Sequence, residues 1–381
     1  MTRPEPKGWC PGAHHPMQSS DGLIVRVRPN HARLSAKQAL GLSRAAQHFG
    51  NGMIDLTSRG NLQIRGVKQT AYDGLMQALK GLTLLDADPA IEARRNVLVT
   101  PDWTAQDGTI ALAQALTQRL GDLPVLPTKF GFSVDSGEAP LLTQASADIR
   151  IERAADGQLL VRADGAPAGR PVTPNTAIEA VLELAHWFAD TRKDHPVRMA
   201  KLLETNALPD SWTQQVPAIT RAALTPGAHP LGYVFGALFG QIDAASLAQL
   251  ITGSGTSGLR LTPWRLFLAE SLKRGGWQGF IDRADAPELN VSACPGLRQC
   301  STASIDTRPL ARDLAGLTVA SVHVSGCSKG CALPRKAAFT VIGREGKFDL
   351  VRDGCSWDQP EYFGLSKTEV LKLASETNDA L

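Results

Sequence analysis

Asn290-Val291-Ser292-Ala293-Cys294-Pro295 repeats the pattern of an earlier stretch, Asn96-Val97-Leu98-Val99-Thr100-Pro101, with cysteine standing where the first copy has threonine. Other segments recur in the same order, and ordered self-similarity constrains architecture more strongly than local propensity. Upstream, residues 23–29, 36–49, 53–57 and 62–67 read as strand, helix, strand, strand, and the pattern returns at 233–238, 244–252, 259–262 and 266–268. Ser35 and Gln38 form a capping box for the first helix, which carries Ala39, Leu42, Ala46 and Phe49 on one stripe. Asp243 opens its partner. Downstream, Leu126-Pro127-Thr128-Lys129-Phe130-Gly131-Phe132-Ser133-Val134 matches Leu333-Pro334-Arg335-Lys336-Ala337-Ala338-Phe339-Thr340-Val341 at identical spacing. A hairpin over 149–153 and 159–162, turning at Asp156-Gly157, matches 339–344 and 348–352, turning at Glu345-Gly346. Residues 21 to about 200 and 230 to 381 are therefore expected to be two copies of one α+β unit, joined by 207–230. In a paired architecture a ligand belongs at the interface.

The second copy alone carries the thiols Cys294-x5-Cys300 and Cys327-x3-Cys331. Four soft, charged thiolates satisfy either a tetrahedral zinc ion or the corner irons of an iron-sulfur cluster. Zinc knuckles usually space their cysteines by about two to four residues. The wider gap between Cys294 and Cys300 leans toward a cluster, with zinc and free buried thiols as the alternatives.

The chain has 381 residues, 43% of them hydrophobic, enough for two or three domains. Six cysteines are too few for a secreted disulfide scaffold, the first residues lack an apolar signal region, and the reducing cytoplasm is the expected compartment. No apolar run approaches the roughly 20 residues that cross a bilayer, so no membrane partner is expected. Net charge is +3, and aromatics make up 6% with no stacking platform among the basic residues, which disfavours nucleic acid. Gly253-Ser-Gly255-Thr-Ser-Gly258 matches the dinucleotide fingerprint in letters, but a helix precedes it and a strand follows, the reverse of the order that fingerprint needs. A nicotinamide, if used, is expected to act through a separate reductase.

Arg26 and Arg28 alternate with Val25 and Val27 on one strand, so both guanidinium groups lie on one face. Arg59, Asn61, Gln63 and Arg65 follow in the next hairpin, and Arg94, Arg95 and Lys129 extend the basic set. Guanidinium grips carboxylate through two parallel hydrogen bonds, so such a set suits a ligand edged with several carboxylates.

With these segments in hand, the sequence resembles the sulfite and nitrite reductase superfamily, and within it the precorrin-3B synthase family. The cluster motif stands as Cys294, Cys300, Gly326, Cys327, Cys331 and Pro334, and the tetrapyrrole-binding segment as Ile54-Asp55-Leu56-Thr57-Ser58-Arg59-Gly60-Asn61-Leu62-Gln63-Ile64-Arg65-Gly66. The reductases carry a Lys-x-Lys pair, whereas Lys129 is followed two positions later by Gly131, and the opening Lys7-Gly8-Trp9-Cys10-Pro11-Gly12-Ala13-His14-His15-Pro16-Met17 is similar to that of the synthases. The resemblance implies an α+β, internally duplicated, nitrite/sulfite reductase-like fold with two ferredoxin-like half domains and two α/β lobes. It divides the chain into an N-terminal loop segment (1–20), half 1 (21–85), a lobe without cluster (86–206), a linker (207–230), half 2 (231–285) and a cluster-binding lobe (286–381).

The same resemblance implies an oxidoreductase of aerobic cobalamin biosynthesis, a monooxygenase that uses dioxygen to hydroxylate precorrin-3A and forms a γ-lactone. A 4Fe-4S cluster is then held by Cys294, Cys300, Cys327 and Cys331, with Cys331 nearest the ligand. Lys129 and Arg95 are the candidate catalytic residues. Arg26, Arg28, Arg59, Asn61, Gln63, Arg65, Arg95 and Lys129 are the candidates for binding the substrate's carboxylates. The family is also associated with a non-haem iron, for which Cys10, His14 and His15 are candidate ligands. Electrons come from an external NADH-linked reductase or a ferredoxin-like protein. Two alternatives stand beside this reading: a sirohaem-dependent nitrite or sulfite reductase, and a non-catalytic tetrapyrrole-binding protein with a structural cluster.

Overall fold

The structure, a computed structural model, describes residues 10–193, 195, 197–317 and 320–378; Lys7, Gly8 and Trp9 of the opening motif lie outside the described residues. The first half domain contains β1 (Met17–Ser19), β2 (Gly22–Val27), β3 (Arg33–Ser35), α1 (Ala36–Phe49), β4 (Met53–Leu56), β5 (Leu62–Val67) and α2 (Tyr72–Gly81). The first lobe follows with α3 (Pro89–Arg94), β6 (Val97–Val99), α4 (Thr109–Gln118), β7 (Phe132–Asp135), β8 (Ile149–Arg153), β9 (Leu159–Ala163), β10 (Arg170–Val172), α5 (Ala177–Arg192) and α6 (Met199–Leu203). The second half domain holds β11 (Gly227–His229), β12 (Gly232–Gly236), β13 (Gln241–Asp243), α7 (Ala244–Ser254), β14 (Gly258–Leu261) and β15 (Leu266–Glu270). The second lobe has β16 (Val291–Ala293), α8 (Thr307–Ala315), β17 (Val322–Ser325), β18 (Ala337–Arg344), β19 (Lys347–Gly354), β20 (Tyr362–Leu365) and α9 (Lys367–Asn378).

Local chemistry explains the helix starts. Ser35 Oγ accepts from the Gln38 N–H while the Gln38 side chain reaches back to the Ser35 N–H, the capping box read from the sequence. Asp243 caps α7 by accepting from the Ser246 N–H at 2.8 Å. α7 runs into Gly255, whose φ of 70° ends it in the left-handed region before β14 begins. The glycine triplet is thus a helix-to-strand connection.

The two halves exchange a strand. Their sheets run β1-β2-β5-β4-β13 and β11-β12-β15-β14-β3, so β13 of the second half completes the first sheet and β3 of the first completes the second. Each exchanged strand follows a kink at a left-handed residue, His31 at φ 56° and Phe239 at φ 57°. Helices α1 and α7 share a single core with both sheets, including Leu34, Leu42 and Ile54 from one side and Phe235, Leu250 and Phe267 from the other.

The lobe sheets run β10-β9-β8-β7-β6 and β16-β17-β18-β19-β20. In each, three strands are parallel and the last two antiparallel. Register settles which residues correspond. Val97 lies opposite Phe132 and Phe132 opposite Ile149; Val291 lies opposite Val322 and Val322 opposite Phe339. The pairing of Val97 with Val291 and of Ile149 with Phe339 therefore holds. The expected match of Leu126 to Val134 with Leu333 to Val341 does not: Phe132 opens the second strand of its sheet, and its counterpart is Val322, whereas Phe339 belongs to the third strand. Both loops pass a proline and a basic residue on the way into a buried strand, so the local pattern repeats one strand out of step. Segment 207–230, read as a linker, contributes the edge strand β11 and bridges lobe 1 at Pro217 and Gln215.

Candidate functional site

β16 ends where the chemistry starts. The Cys294 N–H donates to Val324 O at 3.3 Å, and in lobe 1 the Thr100 N–H donates to Val134 O at 3.0 Å, so cysteine and threonine occupy the same place in the two copies. Cys294 is buried, and its Sγ accepts from the Gly326 N–H at 3.2 Å. A Cβ on Gly326 would lie 2.5 Å from Ala303 Cβ, so a residue without a side chain lets this loop approach the thiol. Cys300 Sγ lies 3.1 Å from Thr302 Oγ1, which is 3.9 Å from Cys327 Sγ. Burial pushes the Cys331 thiol up, and the nearby Cys327, Cys294 and Cys300 push it further, so the four sulfurs share one electrostatic neighbourhood. Burial also raises Cys294. At Cys300 burial is outweighed by hydrogen bonds from Thr302 and Ala303 and by Lys329, and its thiol is held below the ordinary value.

Among the described residues no three His, Cys, Asp or Glu side chains close around a single metal ion. A cluster spreads its ligands over several irons. The donor set, four thiols in one electrostatic neighbourhood with backbone N–H groups beside Cys294 and Cys300, is of the kind that holds a cluster.

The basic residues divide into two groups. Arg28 is paired with the buried Glu92, and burial carries its pKa down to about 10 against the pull of that carboxylate. Arg95 forms an ion pair with Asp86 at 2.7 Å and donates to Arg28 O at 2.7 Å. Arg65 lies 3.4 Å from Asp55 and 3.5 Å from Asp21. Each of these three forks makes an ion pair inside the protein, while Arg28 Nε and Arg65 Nε have no hydrogen-bond partner among the described residues. Asn61 is buried in the β4–β5 turn, its N–H donating to Thr57 Oγ1 at 3.2 Å.

Arg26 and Arg59 differ. Arg26 is 7% exposed, and its Nε and Nη1 have no hydrogen-bond partner among the described residues. Gln63 lies directly across the sheet from it. Arg59 donates one arm to Lys129 O at 2.7 Å, and burial followed by the neighbouring Arg198 lowers its pKa. Cys10, Arg26 and Asp148 are also within electrostatic reach of Arg59. A Cβ at Gly131 would lie 3.6 Å from Arg59 Nη1, so a lysine at that position would stand against Arg59. The sequence reading missed Arg198 and Asp148. Arg198 Nε bonds both Asp148 oxygens at 2.6 and 2.8 Å, and Asp148 also accepts from the Gly131 N–H at 2.8 Å. No motif marks them.

The opening loop is clipped down rather than arranged around a metal. Glu92 accepts from the Ala13 and His14 N–H groups, Tyr72 donates to Ala13 O, and the His14 ring meets Asp86 O at 2.7 Å. His15 is exposed. Cys10, His14 and His15 therefore do not converge, because the backbone clip at Glu92 turns the His14 ring to Asp86.

Comparison with known proteins agrees with this geometry. Residues 15–82 match the nitrite/sulfite reductase ferredoxin-like half domain. The NirA protein of Mycobacterium tuberculosis superposes with a TM-score of 0.68 over 94% of this chain and 80% of its own, at 16% identity. A precorrin-3B synthase from Sinorhizobium sp is 30% identical over 98% of this chain and 90% of that protein. The chain belongs to the precorrin-3B synthase family. It is an oxidoreductase with a nitrite reductase-like fold of duplicated halves. No helix among the described residues is long and apolar enough to cross a membrane.

In this member of the precorrin-3B synthase family, arginines of the half domains hold the loops of both lobes. Arg65 donates to Gln299 O, next to Cys300, at 3.2 Å, and Ser19 Oγ donates to the same carbonyl at 2.7 Å. Arg265 Nη2 donates to Ala332 O, next to Cys331, at 2.8 Å. On the other side, Arg260 donates to Pro101 O and Trp103 O of lobe 1 and stacks 3.8 Å over the Trp103 ring. Strand register makes Asp55 the counterpart of Arg260 and Arg65 that of Glu270, so the same ion pair occurs in both halves with its charges reversed.

Proposed function

We propose that this protein is the precorrin-3B synthase of aerobic cobalamin biosynthesis, hydroxylating precorrin-3A with dioxygen and forming a γ-lactone. The observation that carries the reading is Arg26. A guanidinium at 7% exposure with two unpartnered nitrogens carries a desolvation penalty of about 1–3 kcal/mol or more unless an anion meets it. Arg59 and Gln63 stand with it, Lys129 follows in the loop whose carbonyl Arg59 bonds, and the acetate and propionate arms of a tetrapyrrole supply the carboxylates they would bind. Binding at these fixed positions orients the macrocycle as well as anchoring it. Gly131 leaves clear the space beside Arg59 where a reductase-like second lysine would stand, which favours a bulky substrate over proton delivery to a small oxyanion.

Cys294, Cys300, Cys327 and Cys331 are the residues that would hold a 4Fe-4S cluster, which when bound supplies single electrons for the reaction of dioxygen with a closed-shell carbon. The overall change balances as substrate C–H plus dioxygen, two electrons and two protons giving the hydroxylated product and water. The electrons come from an external NADH-linked reductase or ferredoxin-like donor.

The test is isotopic. Purified protein with precorrin-3A, donor and oxygen-18 gas should give product whose new hydroxyl carries the label, and no product without oxygen. Label arriving from water excludes the reading, and sirohaem absorption bands with turnover of nitrite or sulfite by reduced viologen would replace it with the reductase.

A further inference from the structure

We propose that Arg265 and Arg308 are positioning residues that raise the reduction potential of the cluster by placing two uncompensated cations against its cysteine loops. The inference rests on the reading that Cys294, Cys300, Cys327 and Cys331 hold that cluster.

Three observations converge. Arg265 has φ 61°, a left-handed backbone that costs a non-glycine residue energy, whereas the first half domain uses Gly60, φ 62°, at the same place in its turn. The turns share their closing bond: Thr57 N–H to Asn61 O at 2.9 Å and Thr262 N–H to Leu266 O at 3.2 Å. The second copy thus accepts strain in order to carry a guanidinium here, and that guanidinium reaches Ala332 O beside Cys331 at 2.8 Å and Val291 O at 3.4 Å.

Arg308, on α8, is the second cation. Its Nη1 bonds the side-chain oxygens of Gln241 and Gln299 at 2.5 and 3.4 Å, its buried Nε has no partner, and Cys294 lies within electrostatic reach.

Neither cation is neutralised. Among the described residues no carboxylate lies within ion-pair distance of Arg265 or Arg308; Asp55, the acid nearest Arg308 in the charge balance, is bonded to Arg65 and Gln241. His323, fully buried near Arg265 with both ring nitrogens unpartnered, is kept neutral by burial and by that same charge. Every partner of the two guanidinium groups is a neutral oxygen.

The consequence is electrostatic. Reduction adds one electron, and so one negative charge, to the cluster, and a fixed cation in a low-dielectric surround favours that state. Net charge and hydrogen bonding to the ligand loops are the protein's levers on such a potential. A donor of modest reducing power would then suffice.

The experiment is a redox titration of the cluster, followed by electron paramagnetic resonance, in anaerobically purified wild-type protein and in Arg265→Met, Arg308→Met, Arg265→Lys and Arg308→Lys. Both methionine variants should keep iron and sulfide content while the midpoint moves to more negative potential, and each lysine variant should return most of the shift. Unchanged midpoints in cluster-loaded methionine variants overturn the inference. Should Arg265→Met release iron, Arg308→Met decides, because its partners are glutamine side chains rather than a cysteine loop's backbone. Wild-type protein devoid of iron and sulfide would instead remove the cluster reading itself.

Discussion

Lobes 1 and 2 have the same strand order and register and end their first strand on the same hydrogen bond, yet they close the neighbouring loop by different means. In lobe 1 the buried Asp135 accepts from the Leu141 and Leu142 N–H groups at 2.6 and 2.7 Å, and Thr100 Oγ1 donates to Asp102 at 2.7 Å. The loop is complete within the chain. In lobe 2 the counterpart of Asp135 is Ser325, which donates to Cys327 O at 2.7 Å, and the loop carries Cys327 and Cys331. Duplication has preserved the scaffold, and the chemistry differs at the strand ends and the loops after them, where parallel strands usually place function. The half domains show the same division, one carrying Arg59 over Lys129 and the other the strained Arg265 beside Cys331.

The sharpest way to break this contrast is Cys294→Ser. Iron and sulfide should fall to background in the purified protein, and an undiminished iron content would show the thiols to be structural. Next in size is the reversed ion pair of the second half. Glu270→Gln leaves Arg33 and Arg260 without their acid and should cost about 3–5 kcal/mol in urea unfolding. Burial would raise Glu270, but hydrogen bonds from the two arginines carry it from 4.5 down to about 2. Because the folded pKa is the lower, its stabilisation is fully present above about pH 4.5 and is lost as pH falls toward 2. The variant should show a flatter acid limb across that window; an unaltered limb would mean the pair contributes nothing.

A smaller effect separates the two classes of arginine. Arg59→Ala should weaken binding of a carboxylate-rich tetrapyrrole by about 10- to 100-fold, the range of one lost charge-assisted hydrogen bond pair, with iron content unchanged. Arg95→Ala should lower stability, since its partner Asp86 is internal, and leave affinity near wild type once folded. Calorimetric titration of both variants would expose a reversal. Smallest is Thr100→Val, expected to cost about 1 kcal/mol by losing the bond to Asp102; any loss of iron there would erase the distinction between lobes.

The duplication was legible in the sequence because each half begins with a capped helix between buried strands, and Ser35, Gln38 and Asp243 cap as their residue types require. The strand exchange was not, since β3 and β13 are short and their partners lie in the other copy. Local likeness also misled at 126–134, because a proline-and-lysine approach to a strand says nothing about which strand it enters. The spacing of the four thiols singles them out in the sequence. Nothing near Arg28, Arg65 and Arg95 in sequence reveals Glu92, Asp55 or Asp86 as their ion-pair partners, and Arg198, Asp148, Arg265 and Arg308 were missed because their contacts are long-range.

The account depends most on what the four cysteines of lobe 2 hold. Protein purified without air, assayed for iron, sulfide and zinc and then reduced for electron paramagnetic resonance, should contain iron and sulfide in equal amounts and give the signal of a reduced 4Fe-4S cluster. Stoichiometric zinc with no sulfide, or no metal at all, would contradict it.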